Sequence, residues 1–452
     1  MTTEYGKLVA RQREYFLTGA TLPLAARVKA LQDLKEAVVE NRDALVGALR
    51  EDLGKSEGEI LMLELGPVLD GIAHTLAHLR EWIEPEELPS PPPLQPGISR
   101  VYHEPLGVAL IMAPWNYPFQ LTFLPLVAAL AAGNCAVLKP SPDTPRVVEA
   151  MTRCLASRFA QEQVAVVQGG IAESTALLRE RFDAILYTGS GRVGRLVMEA
   201  AAKHLTPVCL ELGGKSPVIV TKDANLALAA KRIAWGKILN AGQTCIAPDY
   251  ALVDAGVLDE FLELLRESFA SMLGPDPLAN GNYARIISEA AFDRILAVAP
   301  PDIRADRAGR KIAPKAFRAD AAHPAMQEEI FGPLLPVLPF SDPEEAVTLV
   351  RNREKPLAFY VFTEDKQFAA QALARVSSGG ACVNDVLLHA ASAEMPFGGV
   401  GASGMGQYHG KYGFAFFSHV KSVLEQTTDT DMPMRYPPYS DEVLAMLRSM
   451  VA

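Results

Sequence analysis

Paired cysteines are missing from this chain. Its five cysteines, Cys135, Cys154, Cys209, Cys245 and Cys382, are odd in number, and no two are spaced as C-x-x-C. That excludes a disulfide framework and a structural zinc knot, and it points to a reducing compartment. Positive charge is also short: 43 Lys and Arg stand against 53 Asp and Glu, a net charge of −10. Nucleic acid and anionic membrane are therefore not expected as main partners. Met1-Thr2-Thr3-Glu4-Tyr5 lacks the charged-then-apolar pattern of a signal peptide. No run reaches the roughly 18 apolar residues of a membrane span. Leu121 to Ala132 comes nearest, but it is short and carries Pro125. A cytoplasmic protein is expected. No cluster of His, Cys and carboxylates shows metal-ligand spacing, so no metal is expected either.

What is present is alternation. Residues 22–83 are helix-rich, with Leu31, Leu34, Ala37 and Val38 at helical spacing. Prolines between 85 and 97 break that pattern with a linker or an extended crossing. From residue 107, short apolar strands alternate with helices: Gly107 to Ala113, Cys135 to Leu138, Val164 to Gln168, Ala184 to Tyr187 and 207–212. A second series runs from Val218 to about Val386. Such alternation predicts an α/β fold with two doubly wound domains, each a parallel sheet covered on both faces. Strand C-terminal ends then share one side, where cofactors bind. At 452 residues the prior is two or three domains.

Three side chains at the ends of apolar segments could carry chemistry: a thiol, an amide and a carboxylate. Cys245 sits in the small-residue turn Asn240-Ala241-Gly242-Gln243-Thr244-Cys245, just after the helical run Leu226 to Leu239. A thiol there can meet solvent and substrate together. Asn116 follows a strand, between Trp115 and Tyr117, and its amide can donate to an oxyanion. Glu211 ends an apolar strand before Gly213-Gly214, where burial would raise its pKa and suit it to activate water. Taken alone, these residues also allow plainer readings. A single cysteine is more often a small buried hydrophobe. Asn116 reads at least as well as a turn residue capping the next helix. Glu211 reads as an ion-paired glutamate, and Glu328-Glu329 as a solvated helix end. Gly189-Ser190-Gly191-Arg192-Val193-Gly194 matches G-x-G-x-x-G between a strand and a helix, but on the fourth strand of its series, not the first.

Five segments together carry a resemblance. They are Pro114-Trp115-Asn116-Tyr117-Pro118, Leu210-Glu211-Leu212-Gly213-Gly214-Lys215, the Cys245 stretch, Glu328-Glu329-Ile330-Phe331-Gly332-Pro333, and glycine-rich Pro396 to Gly406. They resemble the aldehyde dehydrogenase superfamily. Cys245-Ile246-Ala247-Pro248-Asp249-Tyr250 and Tyr408-His409-Gly410-Lys411 are similar to its class 3 branch. The resemblance implies a discontinuous NAD(P)-binding domain (1–85 and 106–210), a catalytic domain (211–395), and a small β bridging element with tail (86–105 and 396–452). That element would pair subunits into a homodimer by extending a sheet.

The same resemblance implies roles. Cys245 is the nucleophile, Asn116 with the Cys245 N–H holds the oxyanion, and Glu211 activates the hydrolytic water. Gly189, Ser190 and Gly194 shape the phosphate site, and Lys139 reaches the adenosine ribose. Glu329 and Phe331, with Trp115 and Leu212, meet the nicotinamide side. The glycines from Gly398 to Gly406 shape the loop below the site, and His409 is structural. Pro142 stands where a ribose-binding Glu is usual, three residues after Lys139, which opens the site to NADP as well as NAD. Medium-chain aliphatic and aromatic aldehydes are the implied substrates. A CoA-acylating relative and a catalytically silent scaffold are the rivals; the first dispenses with Glu211, and the second would lack Cys245 or Glu211. Some class 3 relatives end in a hydrophobic anchor, whereas this tail, from Thr427 onward, is short and amphipathic at best, so no anchor is expected.

Overall fold

The computed structural model describes residues 3–451. It divides into a large unit, 1–83 with 104–419, and a small one, 84–103 with 420–452.

Two six-stranded sheets organise the large unit. The first runs Gly404–Met405, Val208–Glu211, Ala184–Thr188, Val108–Met112, Cys135–Lys139, Val164–Val166. All its pairings are parallel except that of Gly404–Met405, which runs antiparallel to Val208–Glu211. Its side chains alternate between two cores, as a pleat covered on both faces requires. Ala109, Ile111, Ala136, Leu138, Ala184 and Leu186 enter one core. Val108, Leu110, Cys135, Val137, Ile185 and Tyr187 enter the other.

The second sheet is wholly parallel, in the order Lys315–Arg318, Leu334–Phe340, Tyr250–Asp254, Pro217–Val220, Ala358–Phe362, Gly380–Val383. Val218, Ala251, Val253, Ala358 and Tyr360 face one core. Ile219, Leu252, Phe359 and Val361 face the opposite one.

Strand order sets the location of function. In the first sheet Val108–Met112 is earliest in the chain, and later strands are added on both sides of it. The switch point lies between Val108–Met112 and Ala184–Thr188, where outgoing loops diverge and leave a crevice. One strand leads into Trp115-Asn116 and the other into Gly189-Ser190.

The helical run 57–83 is long and apolar enough, by length and composition, to cross a membrane. Its Ile60, Leu65, Val68, Ile72 and Leu79 are buried in the same core as Phe123 and Leu126 of the helix Gln120–Ala132.

The small unit holds a three-stranded sheet in the order Glu86–Leu88, Ile98–Pro105, Ser418–Glu425. Within it Arg100 pairs with Glu87 at 3.3 Å and with Glu425 at 2.5 Å. Residues 396–419 belong to the large unit, because Gly404 and Met405 pair with Glu211 and Leu210 at the edge of the first sheet. Gly404 has φ +144°, and a Cβ there would overlap the Leu210 carbonyl.

Gly404→Ala is expected to cost on the order of 1–3 kcal/mol of stability, seen as a lower thermal midpoint. Gly281→Ala, where a Cβ meets nothing within 4 Å, is the control. Equal midpoints for the two variants would show that Met405 does not need this close approach.

Candidate active site

Cys245 owes its position to an unusual stretch of backbone. After the helix Leu226–Ile238, Asn240 (φ +48°), Ala241 (φ +52°) and Gly242 (φ +75°) are all left-handed. Only the glycine adopts that conformation freely, so surrounding contacts must hold the other two. Ala241 is fully buried. The Asn240 N–H donates to Glu59 at 2.8 Å, and Asn240 Nδ2 donates to the backbone carbonyl of Asn116 at 2.9 Å. Gln243 Nε2 donates to the carbonyls of Asn240 (2.9 Å) and Arg285 (3.0 Å), and its Oε1 accepts from Ile287 N at 3.0 Å. Thr244 and Tyr117 hydroxyls meet at 2.7 Å. Cys245 is left half-buried at the turn.

The same network holds Asn116. Its Nδ2 donates to the Gln243 carbonyl at 3.1 Å, so the side chain lies against the Cys245 turn. It does not cap the next helix: the N–H of Gln120, the first residue of Gln120–Ala132, donates to Glu64 Oε2 at 3.0 Å instead. The Asn116 carbonyl accepts from Lys55 Nζ at 2.7 Å. Lys55 is fully buried, 2.6 Å from the equally buried Glu64 and 3.8 Å from the Tyr117 ring centroid.

Glu211 is 1% exposed. Its Oε1 accepts from the Cys209 thiol at 3.7 Å, and its Oε2 is buried without a partner. Burial holds its pKa well above the ordinary carboxylate value. The Glu329 carboxylate rests on Gly213-Gly214, where a Cβ on Gly213 would overlap it, and burial followed by the Asp249 charge pushes it up to about 8. Burial, then the charges of Glu329 and Glu211, push the Cys245 thiol up to about 12. All three shifts run toward the neutral forms.

The clamp segment is pinned from behind. Asp249 accepts from the Ile330 N–H at 2.8 Å and pairs with Lys215, which also donates to the Ala325 and Glu328 carbonyls at 2.8 and 2.9 Å. Arg294 donates to the Glu329 and Ile330 carbonyls at 3.0 and 2.7 Å. Phe331, at φ +48°, meets Trp115 edge to face at 5.6 Å.

Along the crevice, Ser190 caps the helix Gly191–Ala202 and is exposed, and the preceding Thr188 hydroxyl is buried without a partner. At Gly194 a Cβ would lie 2.7 Å from Leu212 Cδ2, so a larger residue would make the Leu212 side chain shift. Lys139 Nζ donates to the carbonyls of Pro140 (2.9 Å) and Gly169 (2.6 Å), away from the Cys245 turn. Pro142 and Asp143 are exposed, and Asp143 accepts from Ser141 at 2.9 Å. An open helix N-terminus at a switch point, an unsatisfied hydroxyl beside it and an aromatic pair at the far end fit a dinucleotide.

Cys245, Glu211, Asn116 and Glu329 thus gather at one place; Lys139 ends the strand Cys135–Lys139, and Ser190 and Gly194 lie at the start of the helix Gly191–Ala202. Sequence reasoning assigned nothing to Lys55, Glu59, Glu64, Asn240, Gln243, Asp249, Lys215 or Arg294. Four of these were legible as polar residues inside small-residue or apolar stretches already singled out: Asn240, Gln243, Asp249 and Lys215. The rest come from distant segments. A His–Cys pair also exists that the sequence does not announce: Cys382 Sγ lies 3.3 Å from His389 Nδ1.

A half-buried thiol beside a buried amide and a desolvated carboxyl, on a doubly wound α/β fold, suits a thiol-dependent oxidoreductase. The model of the aldehyde dehydrogenase family matches residues 2–423. A dimeric, NADP-preferring aldehyde dehydrogenase of Rattus norvegicus is 43% identical over 438 residues, covering 95% of this chain and 97% of the relative. Aldehyde dehydrogenase family 3 member B1 of Homo sapiens is 42% identical over 450 residues, covering 98% and 96%. The structure of the substrate-bound state of Staphylococcus aureus AldH superposes with a TM-score of 0.97 at 37% identity, covering all of both chains. The chain belongs to the aldehyde dehydrogenase family, and it oxidises aldehydes to acids with NAD(P)+.

Lys55→Met leaves Glu64 buried and unpaired, and it is expected to cost about 3–5 kcal/mol, measured by denaturant unfolding. The double variant Lys55→Met/Glu64→Leu should recover much of that loss. A single variant as stable as the parent would mean that Glu64 is neutral in the fold.

Proposed function

We propose that Cys245 Sγ is the nucleophile, Asn116 the oxyanion donor, and Glu211 the base that activates water. The observation that carries this reading is the pairing of a half-buried thiol with a fully buried carboxyl whose one unpartnered oxygen awaits a donor. As Sγ attacks the carbonyl carbon, its proton leaves to solvent. The carbonyl electron pair moves onto oxygen, where the second N–H of Asn116 Nδ2 donates to it. Bound NAD(P)+ supplies the acceptor for the aldehyde hydrogen and its electron pair. Glu211 then takes a proton from water, whose oxygen attacks the acyl carbon. The C–S bond breaks, the acid departs and the thiol regains its proton. Trp115, Phe331, Glu329 and Leu212 bound the nicotinamide side, and Gly189, Ser190, Gly194 and Lys139 bound the adenosine side. In this division of labour 1–85 and 106–210 bind the dinucleotide, 211–395 hold the thiol, and the three-stranded sheet pairs subunits.

NADP is accepted alongside NAD, because no carboxylate stands at Pro142 to repel a 2′-phosphate and the exposed Asp143 is engaged by Ser141; the rat relative's NADP preference is in keeping. A homodimer is supported by the open edges of Glu86–Leu88 and Ser418–Glu425, which invite strand addition, and by the dimeric state of that relative. Five free thiols suit a cytoplasmic location. Medium-chain aliphatic and aromatic aldehydes are the expected substrates.

Absorbance of reduced nicotinamide, with hexanal or benzaldehyde and with NAD or NADP, tests the reading. Steady turnover without CoA is expected; turnover only when CoA is present would make the enzyme an acyl transferase. Cys245→Ala should abolish turnover, and substantial residual activity would sink the nucleophile assignment. Glu211→Gln should slow deacylation more than hydride transfer, leaving a burst of reduced cofactor; an equal loss of burst and turnover would give Glu211 another task.

The pH profile follows from the direction of the shifts. Burial disfavours the charged forms of Cys245 and Glu211, so the reactive thiolate and carboxylate appear only as pH rises. Turnover should therefore climb on the alkaline side of neutrality. A profile already flat above the ordinary carboxylate range of about 4 would assign the base to a solvated group.

A further inference from the structure

A second cluster of donors lies outside the catalytic apparatus. His74 and His78 stand four residues apart on the helix Gly66–Ile83, which places both imidazoles on one face. Across from them is Glu394, in the loop between the short helix Leu388–Ala391 and Phe397. One ligating atom of each residue lies within 4.8 Å of the other two. His74 Nδ1 is 3.5 Å from Glu394 Oε1. That is close to the separation of two ligands on a tetrahedral cation with bonds of about 2.1 Å.

The neighbours prepare these side chains for a metal. His78 Nδ1 is 2.8 Å from the His74 carbonyl. A carbonyl only accepts, so Nδ1 carries the proton and the lone pair sits on Nε2, free to ligate; fixing the tautomer of a ligating imidazole in this way is a common supporting device. The Trp82 ring stacks on His78 at 6.0 Å with 14° between planes, and lies 5.7 Å from His74. Opposite, Gly410 (φ +47°) lets the chain pass close: a Cβ there would lie 3.3 Å from His74 Nε2. The imidazoles are half-buried and Glu394 is exposed, so the carboxylate can move to complete the set.

We propose that His74, His78 and Glu394 form a site for a divalent transition cation of the Zn2+, Ni2+ or Co2+ type, cross-linking the helix Gly66–Ile83 to the 392–396 loop. Two imidazoles and one carboxylate suit these ions better than Mg2+ or Ca2+, which take oxygen ligands. The proposal departs from the expectation of no metal: the His-x-x-x-His spacing is local, but the third ligand comes from a remote loop. The site is independent of the catalytic reading. Only the thiol of Cys245 could confuse it, because thiols bind the same ions.

The test is a Co2+ titration of the full-length protein, with Zn2+ displacement, on the parent and on Cys245→Ser, His78→Gln and Glu394→Gln. One equivalent of Co2+ should bind to both parent and Cys245→Ser. It should quench Trp82 fluorescence and give weak ligand-field bands without a thiolate charge-transfer band. Affinity should fall about tenfold or more in His78→Gln and in Glu394→Gln. Both variants should keep the parent's circular dichroism and metal-free dehydrogenase activity, and Glu394→Gln, at an exposed position, checks the result if His78→Gln is perturbed. Loss of binding in Cys245→Ser, unchanged affinity in Glu394→Gln, or no binding by the parent would each overturn the proposal.

Discussion

The buried ammonium of Lys55 is the constraint on which the catalytic geometry depends. It joins its own position, just before the helical run 57–83, to Glu64 within that run and to the remote Asn116 carbonyl after the Val108–Met112 strand. Asn240 Nδ2 donates to the same carbonyl, and Glu59 accepts from the Asn240 N–H. The turn that presents Cys245 is thereby tied to the residue that would hold its oxyanion. A buried ion pair contributes little net stability, since desolvation offsets most of the attraction, but breaking it is costly. Such a pair acts here as a geometric pin. It holds Asn240 and Ala241 in left-handed backbone that a relaxed chain would abandon.

The same burial decides the chemistry. Cys245, Glu211 and Glu329 are all pushed toward their neutral forms by desolvation first; charge adds to this at Cys245, from Glu329 and Glu211, and at Glu329, from Asp249. A carboxylate with a raised pKa is a stronger proton acceptor once ionised. Preorganised donors are worth most where water is absent, which suits an amide such as Asn116 to oxyanion work. The antiparallel strand Gly404–Met405 serves this burial: it covers the edge of Val208–Glu211, and Gly404 lets it come close.

Periodicity made the architecture readable. Apolar strands alternating with amphipathic helices can bury themselves only as covered parallel sheets, so two doubly wound sheets followed from the residue pattern. Some glycine positions were readable for a similar reason: at Gly404 a Cβ would overlap the Leu210 carbonyl. Cys245, Glu211 and Asn116 stood out as polar or reactive groups at the ends of apolar segments, although what the residues alone allowed for Asn116, a helix cap, is not what the fold made of it.

What the sequence determined by itself is local: which segments become strands or helices, where glycine permits a close approach, and which reactive groups lie at strand ends, because each is set by neighbours within a few residues. Tertiary structure decided the rest. Lys55 finds Asn116, Arg294 finds Glu329, and Glu394 finds His74 only when distant segments are packed together. The pKa shifts arise only when folding removes water from Glu211 and Cys245. Long-range pairing and desolvation leave no periodic trace along a chain, because both are properties of the space that the chain encloses.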